Sequence, residues 1–425
     1  MVRVLIVDDS SFMRRSLEAI LSKSPDIEVV GTAANGLEAI AKVKELDPDV
    51  VTMDIEMPKM DGVTALQHIM DESPVPVIMI SSLTTEGAEI TLRAMDIGAQ
   101  DYVPKANSSS LPVMADFEQD LIDKVKVLAR RKSILKIMYR HKARERQRAN
   151  DMASRQPYGG SGIGKTGGTG GASIPAADPA RPQQKPLGKP WSPSQASTAS
   201  ENFRGSSTMR PSAGSNTTAD SGQNSSLSLL ARIGKRSVDI VAIGVSTGGP
   251  PAVQKVLSAL PENFPVPIVI AQHMPASFTG PFANRLNTLC VLSVKEAEKE
   301  ERLLPGWVYV CPGGKHLRVE KKGGILFGRV TEDPKEALYK PSANVLMETV
   351  GLALGRRALG LILTGMGNDG ADGARVLKEK GGTMLAQSEE SCVVYGMPKA
   401  IVDGNLADAV IDIDDISAAL VRYCC

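Results

Sequence analysis

Three residues in the second half of the chain have the types and placement for nucleophilic hydrolysis: Ser246, His273 and Asp369. Ser246 lies in Ile243–Pro251, reading IGVSTGGPP, between the apolar run Val238–Ile243, which reads as a buried strand, and the helical spacing of Ala252–Leu260. Pro250 and Pro251 suit the first turn of a helix, where a missing N–H costs little. Gly244, Gly248 and Gly249 allow a sharp turn and close backbone approach. A hydroxyl held there stands clear of the sheet, above a helix N-terminus that favours developing negative charge. The same glycine-rich turn would also serve as a nest for a phosphate, and G-x-S-x-G alone does not decide between the two. His273 follows the strand pattern Val266–Ala271, and Asp369 follows Leu359–Leu363. All three groups therefore arrive at the same end of one parallel sheet. Of the four histidines, His68 falls on a helix, His141 in a basic helix and His316 near a hairpin, which leaves His273 as the candidate base. A neutral imidazole there could take the Ser246 proton while Asp369 holds its tautomer. The order Ser, His, Asp differs from the Ser, Asp, His order of α/β-hydrolases, so the elbow-like turn does not imply that fold.

One loop competes for a different chemistry. Gly365–Gly370 reads G-x-G-x-x-G between a strand and a helix, and Glu389 and Glu390 follow at about the distance of a ribose-binding acid. A dinucleotide-dependent oxidoreductase is the reading this pattern offers. Against it, Asp369 would set a carboxylate inside the pyrophosphate cradle, and the motif falls late in its domain.

A second constellation lies near the start of the chain. Asp8 and Asp9, Asp54, Ser81 and Lys105 sit at the ends of four different strand patterns, Val2–Val7, Val50–Met53, Val75–Ile80 and Tyr102-Val103. Clustered carboxylates repel unless a cation lies between them, and Mg²⁺ takes carboxylate, water and phosphate oxygens. A carboxylate in that shell can accept a phosphoryl group. Lys105 would neutralise the added charge, and the Ser81 hydroxyl could donate to it. Helix capping would account for one or two of these acids, but not for a lysine and a hydroxyl at matching strand ends.

The elements that must position these groups alternate strand and helix throughout, which predicts parallel sheets with helices on both faces. Ser11–Leu21, Gly36–Leu46, Val63–Met70 and Glu86–Ile97 are expected as helices in the first region, with Ile27–Gly31 a further strand. In the second, Phe282–Leu289, Asn344–Leu354, Ala371–Lys380 and Ile416–Arg422 are expected as helices, Val308–Cys311 and Thr383–Ala386 as strands, and Leu317–Gly328 as a hairpin turning at Lys322-Gly323-Gly324. Between them, Asp116–Arg148 reads as a helix with Leu121, Val125, Leu128 and Leu135 on one face and a strongly basic later part, expected as a solvated continuation of the preceding helix. Ala153–Ser226, rich in Gly, Ser, Pro, Thr and Ala, is expected as a flexible linker. Its GIGKTGGTGG run lacks the strand and apolar helix a phosphate loop needs.

Composition narrows the function classes. The 425 residues suffice for two or three domains. With 49 basic and 48 acidic residues, no global charge draws the chain to nucleic acid or to a membrane surface. No apolar run is long enough to span a bilayer, and Met1–Asp8 enters a strand pattern directly, so no signal peptide is expected. The five cysteines show neither zinc spacing nor a disulfide framework, which fits a reducing cytoplasm; the terminal Cys424-Cys425 is not a complete lipidation signal.

VLIVDDS, TMDIEMPKMDG, IMISS and DYVPKA resemble the receiver domain of bacterial response regulators. The resemblance implies a flavodoxin-like fold, Asp54 as phosphoacceptor, Asp8 and Asp9 as Mg²⁺-binding acids with the Glu56 carbonyl as a further ligand, Ser81 and Tyr102 as the switch pair and Lys105 as the family's lysine. AIGVSTGGP, AQHMPASFTGPFANRLN and LILTGMGNDGADG, with PGGKH at Pro312–His316 and YGMP at Tyr395–Pro398, are similar to the catalytic domain of chemotaxis protein-glutamate methylesterases. That implies a Rossmann-like three-layer domain, a triad at Ser246, His273 and Asp369, and oxyanion donors near Thr247 and Met366. The expected organisation is a receiver at 1–125, a basic helical extension at 126–152, a linker at 153–230 and the methylesterase domain at 231–425. The implied activity is phosphorylation-activated hydrolysis of glutamate methyl esters on chemoreceptors, with deamidation of receptor glutamines. A chemotaxis histidine kinase would be the phosphodonor, Mg²⁺ the receiver's cofactor, and no cofactor would serve the esterase reaction. The implied location is cytoplasmic, with no nucleic-acid partner. A non-catalytic regulatory scaffold is the remaining alternative, and the long low-complexity linker is the one departure from the family's pattern.

Overall fold

The computed structural model describes residues 1–105, 111–141, 144 and 237–425. The chain divides into one compact unit, Met1–Ala149 with Gly222–Cys425, and a second, Asn150–Ser221, that lies wholly outside the described residues. The expected linker and its glycine-rich run fall outside them too.

The first region is a five-stranded parallel sheet. Its strands are β1 (Val2–Val7), β2 (Ile27–Ala33), β3 (Val50–Asp54), β4 (Val77–Ser81) and β5 (Asp101–Pro104), in the order β2-β1-β3-β4-β5. Val4–Val7, Val50–Asp54 and Val77–Ser81 are buried along their whole length, as expected of strands covered on both faces. Helices α1 (Ser11–Leu21), α2 (Gly36–Leu46), α3 (Gly62–Glu72) and α4 (Thr85–Ile97) connect them. Ser10, Asn35, Asp61 and Thr84 each accept a backbone N–H at the helix start, a cap worth about 1 kcal/mol apiece. The chain reverses its direction of travel across the sheet between β1 and β3, so the crevice beyond their carboxyl ends is where a ligand is expected.

The basic segment departs from the single helix predicted. Helix α5 (Leu111–Ala129) ends at a turn through Arg130 and Arg131, and a separate helix, α6, covers 132–141. The expected domain edge at residue 125 therefore falls inside α5. Nor is α6 merely solvated: Leu135 is buried, Tyr139 donates to the Ile97 carbonyl, and Lys132 and Lys136 pair with Asp47. A burst of positive charge in the sequence does not reveal that acids from another loop lie opposite it.

The second region carries a seven-stranded parallel sheet. Its strands are β6 (Ile240–Val245), β7 (Ile268–Gln272), β8 (Ser293–Glu296), β10 (Trp307–Val310), β13 (Ala358–Ile362), β14 (Thr383–Gln387) and β15 (Ala409–Ile411), in the order β15-β14-β13-β6-β7-β10-β8. A small antiparallel sheet adds β11 (His316–Lys322), β12 (Ile325–Thr331) and β9 (Glu300–Arg302), with Gly323-Gly324 closing the predicted hairpin. Strands β8 and β9 carry too few apolar residues, and β15 is too short, to be read as strands from pattern alone. Helices α7 (Gly249–Ser258), α8 (Ala276–Leu289), α9 (Ala343–Leu354), α10 (Ala371–Glu379), α11 (Met397–Asp403) and α12 (Ile416–Cys424) complete the three layers. The strand order turns about β6 and β13, which puts the second crevice between them.

Candidate functional site

Ser246 follows β6, His273 follows β7 and Asp369 lies in the loop after β13, so three neighbouring strands deliver them to one edge. The turn after β6 depends on two glycines. Gly248 has φ +72°, and a Cβ there would meet the Val393 side chain at 2.4 Å. Gly365 passes so close to Ser246 that a Cβ would lie 2.8 Å from the serine's own. The main chain at Met366 is thereby brought to the nucleophile's flank. Among the described residues, neither the Thr247 nor the Met366 N–H is bonded to a backbone carbonyl or a side chain. Gln272, buried at the end of β7, donates to the carbonyls of Ser246 and His273 and ties the two turns together.

The imidazole joins the other two groups. His273 Nδ1 lies 3.1 Å from Ser246 Oγ, and Nε2 lies 2.7 Å from Asp369 Oδ2. With the carboxylate accepting at Nε2, the ring's one neutral proton sits there and Nδ1 is left as the acceptor facing the serine. The nitrogens are exchanged relative to the Ser-His-Asp arrangement in which Nε2 is the base. The His273 side chain is 10% exposed and that of Asp369 3%.

Asp369 is held from below by the N-terminus of α9. Oδ1 accepts the Ser342 hydroxyl at 2.9 Å and the Asn344 N–H at 3.0 Å, and Oδ2 accepts the Ala343 N–H at 2.6 Å. Burial alone would raise this carboxyl, but the bonds to His273 and to the Ala343 and Asn344 amides outweigh it and hold it below its usual value. It is an anion ready to orient an imidazole and to stabilise an imidazolium. The Tyr339 ring covers His273, stacked with centroids 4.2 Å apart and planes 9° from parallel. Gln272, the Ser342–Asn344 cap and Tyr339 escaped the sequence reading. Ser342 before an apolar run was a visible capping signal; the other two had none. The G-x-G-x-x-G loop is consumed by this geometry, since Asp369 faces His273 and not an open cradle.

In the first region the carboxylates of Asp8, Asp9 and Asp54 converge, each offering an oxygen within 4.8 Å of the others. Lys105 Nζ lies 2.8 Å from Asp54 and 3.7 Å from Asp8. Asp8 Oδ2 is buried and, apart from that ion pair, has no hydrogen-bond partner among the described residues. Burial first, then the Asp54 charge, pushes the Asp8 carboxyl up to about 6. An orphaned carboxylate oxygen amid mutually repelling acids suits an oxygen-seeking divalent cation, and Glu56 lines the same cavity as Asp9 and Asp54. Ser81, at the end of β4, bonds to Thr91 Oγ at 2.6 Å and so faces α4.

Tyr102 on β5 is buried and stacks on Phe278 of α8, with centroids 4.6 Å apart. Asp96 of α4 pairs with Arg285 of α8, and Arg131 donates to the Cys392 carbonyl. A cavity of about 360 Å³ is lined by Ser246, His273, Met366 and Tyr339 on one side and by Asp101, Tyr102 and Lys124 on the other. The first region thus forms part of the wall around the nucleophile. Burial alone would lower the Lys124 ammonium, but Asp101 and Asp120 outweigh it and keep it raised.

Known proteins resemble both regions of the chain. The family model described as response regulator receiver domain matches residues 4–113, and that described as CheB methylesterase matches 241–420. A protein-glutamate methylesterase/protein-glutamine glutaminase of Oleidesulfovibrio alaskensis is 50% identical over 99% of this chain and 99% of its own. One from Desulfitobacterium hafniense is 40% identical over 99% of this chain and 97% of its own. The solved CheB methylesterase catalytic domain of Thermotoga maritima is 40% identical, covers 44% of this chain and 99% of its own, and superposes with a TM-score of 0.43.

Proposed function

The chain belongs to the CheB family of receiver-linked protein-glutamate methylesterases and protein-glutamine glutaminases, and on that premise we propose that Ser246, His273 and Asp369 carry out its hydrolysis. The observation that carries this reading is the unbroken hydrogen-bond path Ser246 Oγ, His273 Nδ1, His273 Nε2, Asp369 Oδ2. Ser246 Oγ attacks the γ-carbonyl of a receptor glutamate methyl ester, and its proton passes to His273 Nδ1. The imidazolium returns that proton to the departing methoxide, releasing methanol and leaving an acyl-enzyme. Water, deprotonated by the same nitrogen, then frees the glutamate. With a glutamine substrate ammonia leaves instead. The N–H groups of Thr247 and Met366, unbonded and flanking the nucleophile, are assigned to the oxyanion, a contribution of about 3 kcal/mol each where such donors are removed.

The control region is read the same way. Asp54 takes the phosphoryl group from a chemotaxis histidine kinase; Asp8, Asp9, Asp54 and the Glu56 carbonyl would hold Mg²⁺. The cation's contribution is to neutralise charge on the transferring phosphoryl group. Lys105 pairs with the new phosphate, and Ser81 turns from Thr91 toward it while Tyr102 moves with it. Because Tyr102 stacks on Phe278 beside the cavity over Ser246, that movement loosens the wall of the active site. The stacked pair adds about 0.5–1.5 kcal/mol beyond its buried area, and a part-exposed pair such as Asp96–Arg285 about 0–1 kcal/mol. Contacts of that size lie within reach of one phosphorylation. The domains of this reading are the receiver at 1–125, the basic extension at 126–152, the linker at 153–230 and the catalytic domain at 231–425, in a cytoplasmic protein acting on methylated chemoreceptors. Among the described residues no helix is long and apolar enough to cross a membrane.

The test is methanol release from methylated receptor membranes, with and without a small phosphodonor. Release that survives Ser246→Ala would overturn the assignment.

A further inference from the structure

We propose that His316 is a positioning residue for this hydrolysis: its two ring nitrogens clamp both ends of the loop Pro334–Ser342, and through that loop they hold Asp369 and the face of His273 in place. His316 opens β11 and is fully buried. Its Nε2 lies 3.2 Å from the Pro334 carbonyl, and its Nδ1 accepts the Ser342 N–H at 3.3 Å. A neutral ring with its proton on Nε2 satisfies both partners at once. Gly314, two residues earlier, donates to the Lys340 carbonyl at 3.0 Å, so the same turn grips the loop a third time.

What the loop carries makes the clamp matter. Tyr339 stacks on the His273 ring, and Ser342 donates to Asp369 Oδ1 while the next two amides, Ala343 and Asn344, also reach that carboxylate. His316 is therefore one hydrogen bond from the residue that seats the orienting acid, and it closes the loop whose aromatic ring covers the base. The middle of the loop offers little to order it: Lys335 and Glu336 are exposed, and Leu338 is 86% exposed. A segment whose middle, residues 335–340, buries no side chain is held by the bonds at its ends, and losing one end frees the ordered positions between. His316 touches no reacting atom; its effect passes through Ser342 to Asp369 and through Tyr339 to His273.

The inference rests on the triad reading, and the experiment separates the two. Full-length protein carrying His316→Leu, His316→Asn or His316→Gln is assayed for kcat and KM on methylated receptor membranes, with Ser246→Ala alongside and thermal unfolding of each variant. Asn presents an acceptor near the Nδ1 position, whereas Gln presents a donor near Nε2. His316→Leu is expected to lower kcat by about 10–100-fold, as loss of a partner that orients a reacting group does, with KM changed less than about threefold. His316→Asn is expected to recover most of that loss, and His316→Gln less, because the Nδ1 side holds Ser342 beside Asp369. A His316→Leu enzyme within about twofold of wild type, or Asn no better than Leu, overturns the proposal. Should His316→Leu fail to fold, the Asn and Gln variants decide: equal kcat for the two overturns it. If Ser246→Ala still hydrolyses ester, the triad reading fails first, whatever the His316 variants do.

Discussion

The two crevices of this molecule are built alike and finished differently. Both lie at the point where a parallel sheet reverses its strand order, and both draw their polar groups from strand ends. The crevice by Asp54 is electrostatically incomplete: three carboxylates converge beside one lysine, one buried oxygen of Asp8 has no hydrogen-bond partner among the described residues, and its carboxyl is pushed up to about 6. The crevice by Ser246 is complete: Asp369 accepts bonds from His273, Ser342, Ala343 and Asn344, and its carboxyl is held low. A site that must receive a cation and a phosphoryl group keeps unsatisfied charge for them. A site that must act at once on a neutral ester spends its hydrogen bonds on orientation beforehand. The first can be switched by what arrives, whereas the second can be controlled only by access or by small displacements, which is the part proposed for Tyr102 on Phe278.

The sharpest way to break the comparison is to disable the finished site. Ser246→Ala and His273→Ala should each lower methanol release by about 10⁴-fold or more, since triad members act as a unit. Single-turnover assays on methylated membranes measure this, and a loss below tenfold would remove them from the chemistry. Asp369→Asn should cost about 10³-fold, less than loss of the nucleophile or base. Because the Asp369 carboxyl is held below its usual value, it remains ionised from pH 5 upward, so a large deficit should persist across pH 5–8. A deficit that vanishes at the acid end of that range would mean Asp369 titrates there and is not held as an anion.

The unfinished site predicts effects on control. Asp54→Ala should eliminate incorporation of label from a small phosphodonor and, with it, any stimulation of hydrolysis; label retained on that variant, read by mass spectrometry, would place the phosphoacceptor elsewhere. Smaller still is the effect of the wall between the sites. Arg285→Ala removes the pair with Asp96 and should raise unphosphorylated turnover by about two- to fivefold, the scale of 1 kcal/mol or less. Unchanged turnover would argue that the receiver acts by localisation or by direct activation.

The smallest effect concerns stability. His316 is pushed below its ordinary 6.5, chiefly by burial. Its neutral form is the native one, so the unfolded chain binds more protons between the lowered value and 6.5. Stability should therefore be fully present above about pH 6.5 and fall as the pH drops through the lowered value. His316→Asn should flatten that part of the profile in denaturant titrations, and an unaltered slope would show that another group carries it.

Much of this was legible in the chain because the relevant chemistry is local. A strand buried on both faces must be an unbroken apolar run, and a group placed just after it must emerge at the sheet's edge. That is enough to find Asp8, Asp9, Asp54, Ser81 and Lys105, and to bring Ser246, His273 and Asp369 to one place from positions far apart in sequence. The glycines around Ser246 and the prolines after it likewise announce a tight turn into a helix. What only the folded structure decided involves pairs with no sequence relation to each other. Nothing near Tyr339 says that its ring will lie on His273, and nothing near His316 says that it will close a loop some twenty residues away. The orientation that gives Nδ1 to the serine depends on where the α9 N-terminus holds Asp369. The break after Ala129 and the packing of α6 follow from acids at Asp47 and Asp49 on another loop. Periodicity records which face of an element is buried; it carries no record of the surface that face will meet.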